Sequence, residues 1–375
     1  MYSVGRSVVV TGVIIFSGKV MPDGNIERKL RWVIVSIAWF LLISGAEAQE
    51  IITPDPLFQS NEILDVRIAA PMPTIINERP IDEEIPGKFQ YTNSAGEVVE
   101  FDIKVRARGR FRLEKKNCRF PPLRLNFVKS QTKGTLFHEQ DKVKLVTHCH
   151  NSSTYREVVL REYVAYRILN VMSDTSFHVR LMRITYVDTN SNNENGPRFG
   201  FIIEHKDRLA KRLGLSVLDN SSVNAKSLSP EYANIVSLYH YLIGNTDFSS
   251  IRGAKADTCC HNHMLFGNDD EPVWSVPYDF DQAGLVNAPH ASPNPRFRLA
   301  NVKRRLYRGR CLHNDFVNAT VASYQSKREE ILQVLNEVLA ASDKSINQMT
   351  SYIEKFYKIL DSERKVIKEI INDCI

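Results

Sequence analysis

Apolar and polar residues alternate with a period of two in several short runs of the first half of the chain. Further on they shift to the three-to-four spacing of helices. Lys88-Phe-Gln-Tyr-Thr, the turn-forming Asn93-Ser-Ala-Gly-Glu and the alternating run Val98 to Gly109 predict a hairpin leading into the basic loop Arg108-Gly109-Arg110. Phe120 to Phe127, Lys142 to Thr147, Val179 to Asp188 and Arg198 to Glu204 read as further strands, the last two joined by an Asn-rich turn. Between them, Thr154 to Met172 predicts a helix whose apolar face gathers Val158, Val159, Tyr163, Tyr166, Ile168 and Leu169, interrupted by Glu157, Arg161 and Glu162. Beyond Glu204 the pattern is helical. Ser229-Pro230-Glu231 opens a helix that runs through Ile243 into Asn245-Thr-Asp247, and amphipathic helices are expected over Asp315 to Ala341 and Ser345 to Asn372.

The expected fold class is therefore α+β. An antiparallel sheet lobe with one helix, residues 88–204, precedes a mostly helical lobe, residues 205–375, with a cleft between them. The Pro-rich segment 49–87 is expected to lie extended on a surface, with one strand near Leu64 to Ile68.

The first 48 residues add a targeting signal. Arg28, Lys29 and Arg31 precede an apolar run from Trp32 to Ile43, and Ala46-Glu-Ala48 has the small-x-small pattern of a signal-peptidase site. The run is short for a membrane span, so the chain is read as cut near Ala48 and secreted or periplasmic, with Met21 a more natural start than Met1. All six cysteines follow that site, an even number that suits disulfides in an oxidising compartment, although the sequence does not choose the pairing. Cys259 and Cys260 are adjacent and are each expected to reach elsewhere; with His261 and His263 they are too crowded for an ordinary zinc site. At 375 residues and 43% hydrophobic the chain can bury a full core. A net charge of +6 with no basic tail or Arg-rich helix argues against a nucleic-acid partner. The basic segment Arg296 to Arg310 is read as a solvated helix face and loop in preference to a receptor for an acidic or phosphorylated substrate.

The candidate chemistry lies between Leu242 and Gly284. Asp247, Asn262 and Asp279 stand where apolar runs give way to loops, with Asp281 two residues further. Two carboxylates and an amide oxygen can hold a divalent cation and orient a hydroxyl, as phosphoryl transfer requires. The competing reading is that the aspartates cap helices or close turns.

Several of these segments resemble, in order, the motifs of the CotH kinase family, exported atypical kinases named after a spore coat protein. Arg108-Gly109 and Leu123-Arg-Leu-Asn-Phe127 are similar to its Arg-Gly turn and Lys-bearing strand, and Arg161-Glu162-Tyr-Val-Ala-Tyr166 resembles its Arg-Glu-x-x-Ala-Tyr helix. Phe199 to His205 resembles its Glu-His strand. Gly244-Asn-Thr-Asp247, His261-Asn262 and Pro277-Tyr-Asp279-Phe-Asp281 look like its Gly-Asn-x-Asp, His-Asn and Pro-x-Asp-x-Asp signatures. The likeness spans Lys88 to Gly284.

The resemblance implies a bilobal protein-kinase-like fold that binds ATP with magnesium or manganese and phosphorylates a protein hydroxyl. Asp247 would be the catalytic base, Asn262, Asp279 and Asp281 the metal ligands, and Arg108, Arg124, Lys144, Glu162 and Glu204 the nucleotide-binding set. Glu162 would pair with the phosphate-binding cation, which could be Arg124, Lys142 or Lys144. Arg124 stands where the family tends to have Lys, and Gly284 follows Gln282 and Ala283, so the likeness to Asp-Phe-Gly is partial. A catalytically inactive binding module of the cell envelope or surface, and a different metal-dependent phosphotransferase or hydrolase, are the rival readings.

Overall fold

The computed structural model describes residues 54–253, 259–269 and 272–375. In chain order it contains β1 (Leu64–Ala70), α1 (Met72–Asn77), β2 (Ile85–Thr92), β3 (Val98–Ala107), β4 (Leu123–Phe127), α2 (Lys129–Thr132), β5 (Lys142–Val146), α3 (Ser153–Met172), β6 (Val179–Asp188) and β7 (Glu194–Ile203). The seven strands close into a barrel in the order β1-β2-β3-β4-β5-β7-β6. Neighbours pair antiparallel except at the seam, where β1 runs parallel to β6 from Leu64 opposite Met182 to Ala70 opposite Asp188. This overturns the expected antiparallel sheet lobe of a bilobal kinase-like fold. The Pro-rich segment does more than lie on a surface, because its strand β1 covers the edges of both β2 and β6 and leaves the sheet without a free edge.

Strand alternation explains which side is filled. Along β3, Phe101, Ile103, Val105 and Ala107 are buried while Asp102 and Lys104 face solvent. Inside the barrel the rings of Phe89, Phe101, Phe127 and Phe137 cluster, with Phe89 4.9 Å from Phe137 and 5.2 Å from Phe127, both edge-on. Such ring pairs add about 0.5–1.5 kcal/mol each beyond their burial. The outer face of β5, β6 and β7 is apolar as well. Val146, Val179, Leu181, Phe201 and Ile203 pack against α3 in a second core. The six residues assigned to the apolar face of this helix are all buried, and so are Leu160, Glu162, Val164 and Ala165, because α3 is covered on more than one side. Its N-terminus is capped by Ser152, whose side chain accepts from Tyr155 N.

The second half holds α4 (Lys206–Leu213), β8 (Ser216–Leu218), α5 (Pro230–Ile243), β9 (His263–Gly267) and β10 (Trp274–Pro277), followed by α6 (Val317–Ser326), α7 (Arg328–Glu337), α8 (Asp343–Leu360) and α9 (Glu363–Val366). The small sheet β10-β9-β8 is not among the elements expected of the mostly helical second half. The helix expected over Asp315 to Ala341 is broken at Lys327, whose Nζ turns to donate to Val171 O at 2.6 Å. The segment Arg296 to Arg310 carries no helix beyond the short turn Pro295–Phe297.

Disulfides join Cys118 to Cys149, Cys259 to Cys260 and Cys311 to Cys374. The adjacent cysteines do not reach elsewhere, because the other four are taken by one another. Three disulfides fit a protein of an oxidising compartment outside the cytoplasm. The expected signal peptide and its Ala48 site lie outside the described residues. Among the described residues no helix is long and apolar enough to cross a membrane.

Gly284 has a packing role that its likeness to a kinase glycine does not suggest. Its N–H donates to Gly244 O at 3.1 Å, and a Cβ added to it would lie 2.5 Å from Val302 O and 3.0 Å from Lys303 Cα. Since that obstacle is backbone, Gly284→Ala is expected to destabilise by about 1–3 kcal/mol. A lowered urea midpoint at unchanged slope would register the loss; an unchanged midpoint would show that the segment gives way freely.

Candidate functional site

A cavity of about 500 Å³ opens between the barrel end of β3 and β5, helix α3, and the loops that leave α5 and β10. Helix α5 ends at Gly244, whose φ of +65° turns the chain sharply. Asn245 then accepts from Asp247 N at 2.9 Å through its Oδ1. Behind it runs a buried polar chain. Asn245 Nδ2 meets His240 Nδ1 at 3.3 Å, His240 Nε2 meets His263 Nε2 at 2.9 Å, and His263 Nδ1 lies 3.0 Å from Ser275 Oγ. Burial depresses both imidazoles, His263 to about 3, so the pair is neutral and can alternate donor and acceptor along the chain. Arg308 clamps the same loop from outside, donating to the carbonyls of Thr246 at 3.1 Å and Phe248 at 2.9 Å. The basic run around it is thus partly a structural brace, which its composition did not reveal.

Asp247 faces the cavity with both carboxylate oxygens engaged. His261 Nε2 lies 2.8 Å from Oδ1, and Asn262 Nδ2 is 3.1 Å from Oδ2 and donates to Asp247 O at 2.7 Å. The hydrogen bond to Asp247 raises the His261 imidazole above its ordinary range, which favours the protonated donor. Asn262 and Asp279 are both left-handed, at φ +55° and +65°, and they flank the paired residues His263 and Pro277 of β9 and β10. Backbone of this kind costs about 1–3 kcal/mol and gathers at functional sites. Tyr166 of α3 accepts from Asp279 N at 2.8 Å and so fixes that turn against the helix.

Asp279, Asp281 and Glu162 form an acidic cluster that is poorly neutralised. Burial, then the charge of Asp281, pushes the Asp279 carboxyl up, and burial likewise pushes Glu162 up. Burial acts the same way on Asp281, but the hydrogen bond from His290 Nε2 at 3.2 Å and the charge of Arg112 outweigh it and hold Asp281 down. Arg112 is the cation that meets Glu162, with Nη1 3.9 Å from Glu162 and 4.0 Å from Asp281, and it is steadied by donation to Thr147 O at 2.7 Å. Neither Arg124, Lys142 nor Lys144 makes that ion pair. The signal for Arg112 was its place in the run Arg108-Gly-Arg-Phe-Arg112, which the cavity lining takes in whole.

Lys144 also lines the cavity, its Nζ 4.5 Å from the centre of the Tyr278 ring. Burial, and then the charge of Arg108, lowers it to about 7. Arg108 itself is held below its usual range by burial and faces the charge of Asp279. Arg124 sits across from Lys144 on β4 but is not part of the lining. Glu204 is not brought to the cavity either. Its carboxylate is bound to Arg212 at 2.9 Å and accepts from His178 N at 3.1 Å, although the preceding Ile203 reaches the lining.

Among the described residues no three His, Cys, Asp or Glu side chains are gathered to hold an ion by themselves. The donors present are carboxylates and an amide, the oxygen chemistry that magnesium and manganese take. Two of the acids, Asp279 and Glu162, are held protonation-prone by burial and then by the charge of Asp281, against the pull of Arg108 and Arg112. Asp279, Asp281 and Asn262 offer donors of that kind, three at most, so phosphate oxygens would have to complete the shell of such an ion. No protein-family model matches the chain, and no curated protein is similar to it.

Proposed function

We propose that the protein is an ATP-dependent phosphotransferase of CotH type that moves a phosphoryl group onto a protein hydroxyl. One observation carries this reading: four cations, Arg108, Arg110, Arg112 and Lys144, and four acids, Glu162, Asp247, Asp279 and Asp281, line one cavity together with Asn262, with Arg112 set between Glu162 and Asp281. That is the division of labour of phosphoryl transfer, with cations for the phosphates and carboxylates for a metal and for the acceptor proton.

In this reading Lys144, Arg108 and Arg112 bind the triphosphate. Glu162 orients Arg112, and Asp247 accepts the proton of the acceptor hydroxyl as its oxygen bonds to the γ-phosphorus and the bond to the β-phosphate oxygen breaks, releasing ADP. His261 and Asn262 hold the Asp247 carboxylate in one orientation, leaving its remaining lone pairs toward the cavity. A magnesium or manganese ion on Asp279, Asp281 and Asn262 would neutralise charge on the phosphates.

The test is thermal shift and phosphoryl transfer with ATP and manganese. Absence of both sinks the proposal. Binding without turnover supports the inactive binding module instead, and inorganic phosphate released without an acceptor identifies a hydrolase.

A further inference from the structure

Helix α8 carries a second pattern that its packing does not require. Met349, Ile353, Phe356 and Leu360 are buried in the core, as an amphipathic helix demands. On another side Lys344, Asn347, Gln348, Ser351, Tyr352 and Lys355 follow the same helical spacing but remain polar, and they border an open trough of about 660 Å³. The rest of its lining is Lys303, Gly284, Leu285, Asn287 and Arg161.

Four cations thus line the trough, Arg161, Lys303, Lys344 and Lys355, and no carboxylate does. Asp343, in the first turn of α8, is exposed but does not line the trough, and the other acids nearby are engaged elsewhere. Glu157 accepts from Ser342 N at 3.3 Å and lies 3.9 Å from Arg156, while Glu354 and Asp361 of the α8 end turn to Arg328. Arg161 is held by neutral partners, donating to Ser345 Oγ at 2.8 Å and Gln348 Oε1 at 2.6 Å. The one carboxylate whose charge reaches it, Glu157, lies outside the trough lining.

We propose that this trough is a docking site for an acidic polypeptide segment. Four cations with no carboxylate in the lining supply the attraction, and the amides of Asn287, Asn347 and Gln348 supply donors and acceptors for an extended backbone. A single-stranded nucleic acid fits less well. The one ring in the lining, Tyr352, already has the Arg305 guanidinium over one face at 3.8 Å, and no second ring stands beside it to stack successive bases.

The trough is also joined to the cavity by a short piece of chain. The loop after β10 gives Asp279, Asp281 and Gln282 to the cavity, and Gly284, Leu285 and Asn287 to the trough. A protein anchored by an acidic segment here would have its neighbouring residues near Asp247. That the docked chain is the phosphoryl acceptor rests on the function proposed above; capture of the acidic segment does not.

A labelled oligo-glutamate peptide, titrated by fluorescence anisotropy at fixed ionic strength, tests the site in the full protein. The variant K303E/K344E/K355E changes exposed side chains only and is expected to weaken binding by about tenfold or more. The variant K104E/K129E/K133E alters net charge equally at exposed positions on the barrel side and is expected to bind within about twofold of the unaltered protein. Equal weakening in both variants, or none in the first, overturns the proposal. So does displacement of the peptide by oligo-uridylate at lower concentration than by unlabelled oligo-glutamate. The ATP thermal shift should persist in K303E/K344E/K355E, so a loss of peptide binding is read separately from a failure of the nucleotide site.

Discussion

Asp279→Asn is expected to abolish phosphoryl transfer, by about a thousandfold or more, while leaving the protein as stable as before or more so. The two effects have one cause. Asp279 is buried beside Asp281 and its carboxyl is pushed up, so its ionised form is disfavoured in the folded protein. A carboxyl raised on folding contributes stability only below its unfolded value near pH 4 and loses it as the pH rises through the folded value. At neutral pH the neutral amide relieves that deficit, on the order of 1–2 kcal/mol, and Asn accepts the left-handed turn at φ +65° at least as readily as Asp. The stabilisation should therefore appear at pH 7–8 and vanish below about pH 4. Loss of activity together with a fall in melting temperature at pH 7.5 would mean that Asp279 holds the fold and that its charge is not reserved for a ligand.

Lys144 sets the second large effect, on nucleotide affinity and its dependence on pH. With its ammonium lowered to about 7 by burial and by Arg108, Lys144 loses its charge on the alkaline side of neutrality in the ligand-free protein. A triphosphate favours the charged form, so binding above pH 7 must take up a proton. Affinity is then expected to fall as pH rises above 7, by up to about tenfold per unit. Lys144→Arg fixes the charge and should flatten that slope; Lys144→Met should weaken binding by about a hundredfold at pH 6.5 and show no slope. Calorimetry in buffers of different ionisation enthalpy reads the proton directly. Affinity of the unaltered protein that does not change between pH 6.5 and 8.5 would refute the assignment of Lys144 to the phosphates.

Much of the site is legible in the order of residues along the chain. Asp247, Asn262, Asp279 and Asp281 each announce themselves as a polar group at the end of an apolar run, and all line one cavity, with Arg108, Lys144 and Glu162. The residues that hold them are not legible in that way. Arg308 grips the carbonyls beside Asp247 from sixty residues away, and the His240–His263 pair is two imidazoles from different elements, so neither has a local pattern to read. Arg112 makes the ion pair with Glu162 weighed for Arg124, Lys142 and Lys144, because the turn after Gly109 carries its guanidinium past the strand end to α3. Glu204 goes the other way, to Arg212 eight residues on, once α4 folds back over it.

Local order came from the sequence alone: strands where side chains alternate, α3 and α5 where apolar residues recur every three to four positions, and the capping and turn residues that end them. Barrel closure did not. β1 and β6 lie more than a hundred residues apart and pair in parallel, a register that depends on which faces must be buried once β2 to β5 and β7 are in place. Periodicity says which side of a strand is apolar but not which strand lies beside it. Pairing, ion-pair partners and the depressed or raised acids and bases of the cavity belong to that second kind of information, because they arise from burial and from charges brought together only by the completed fold.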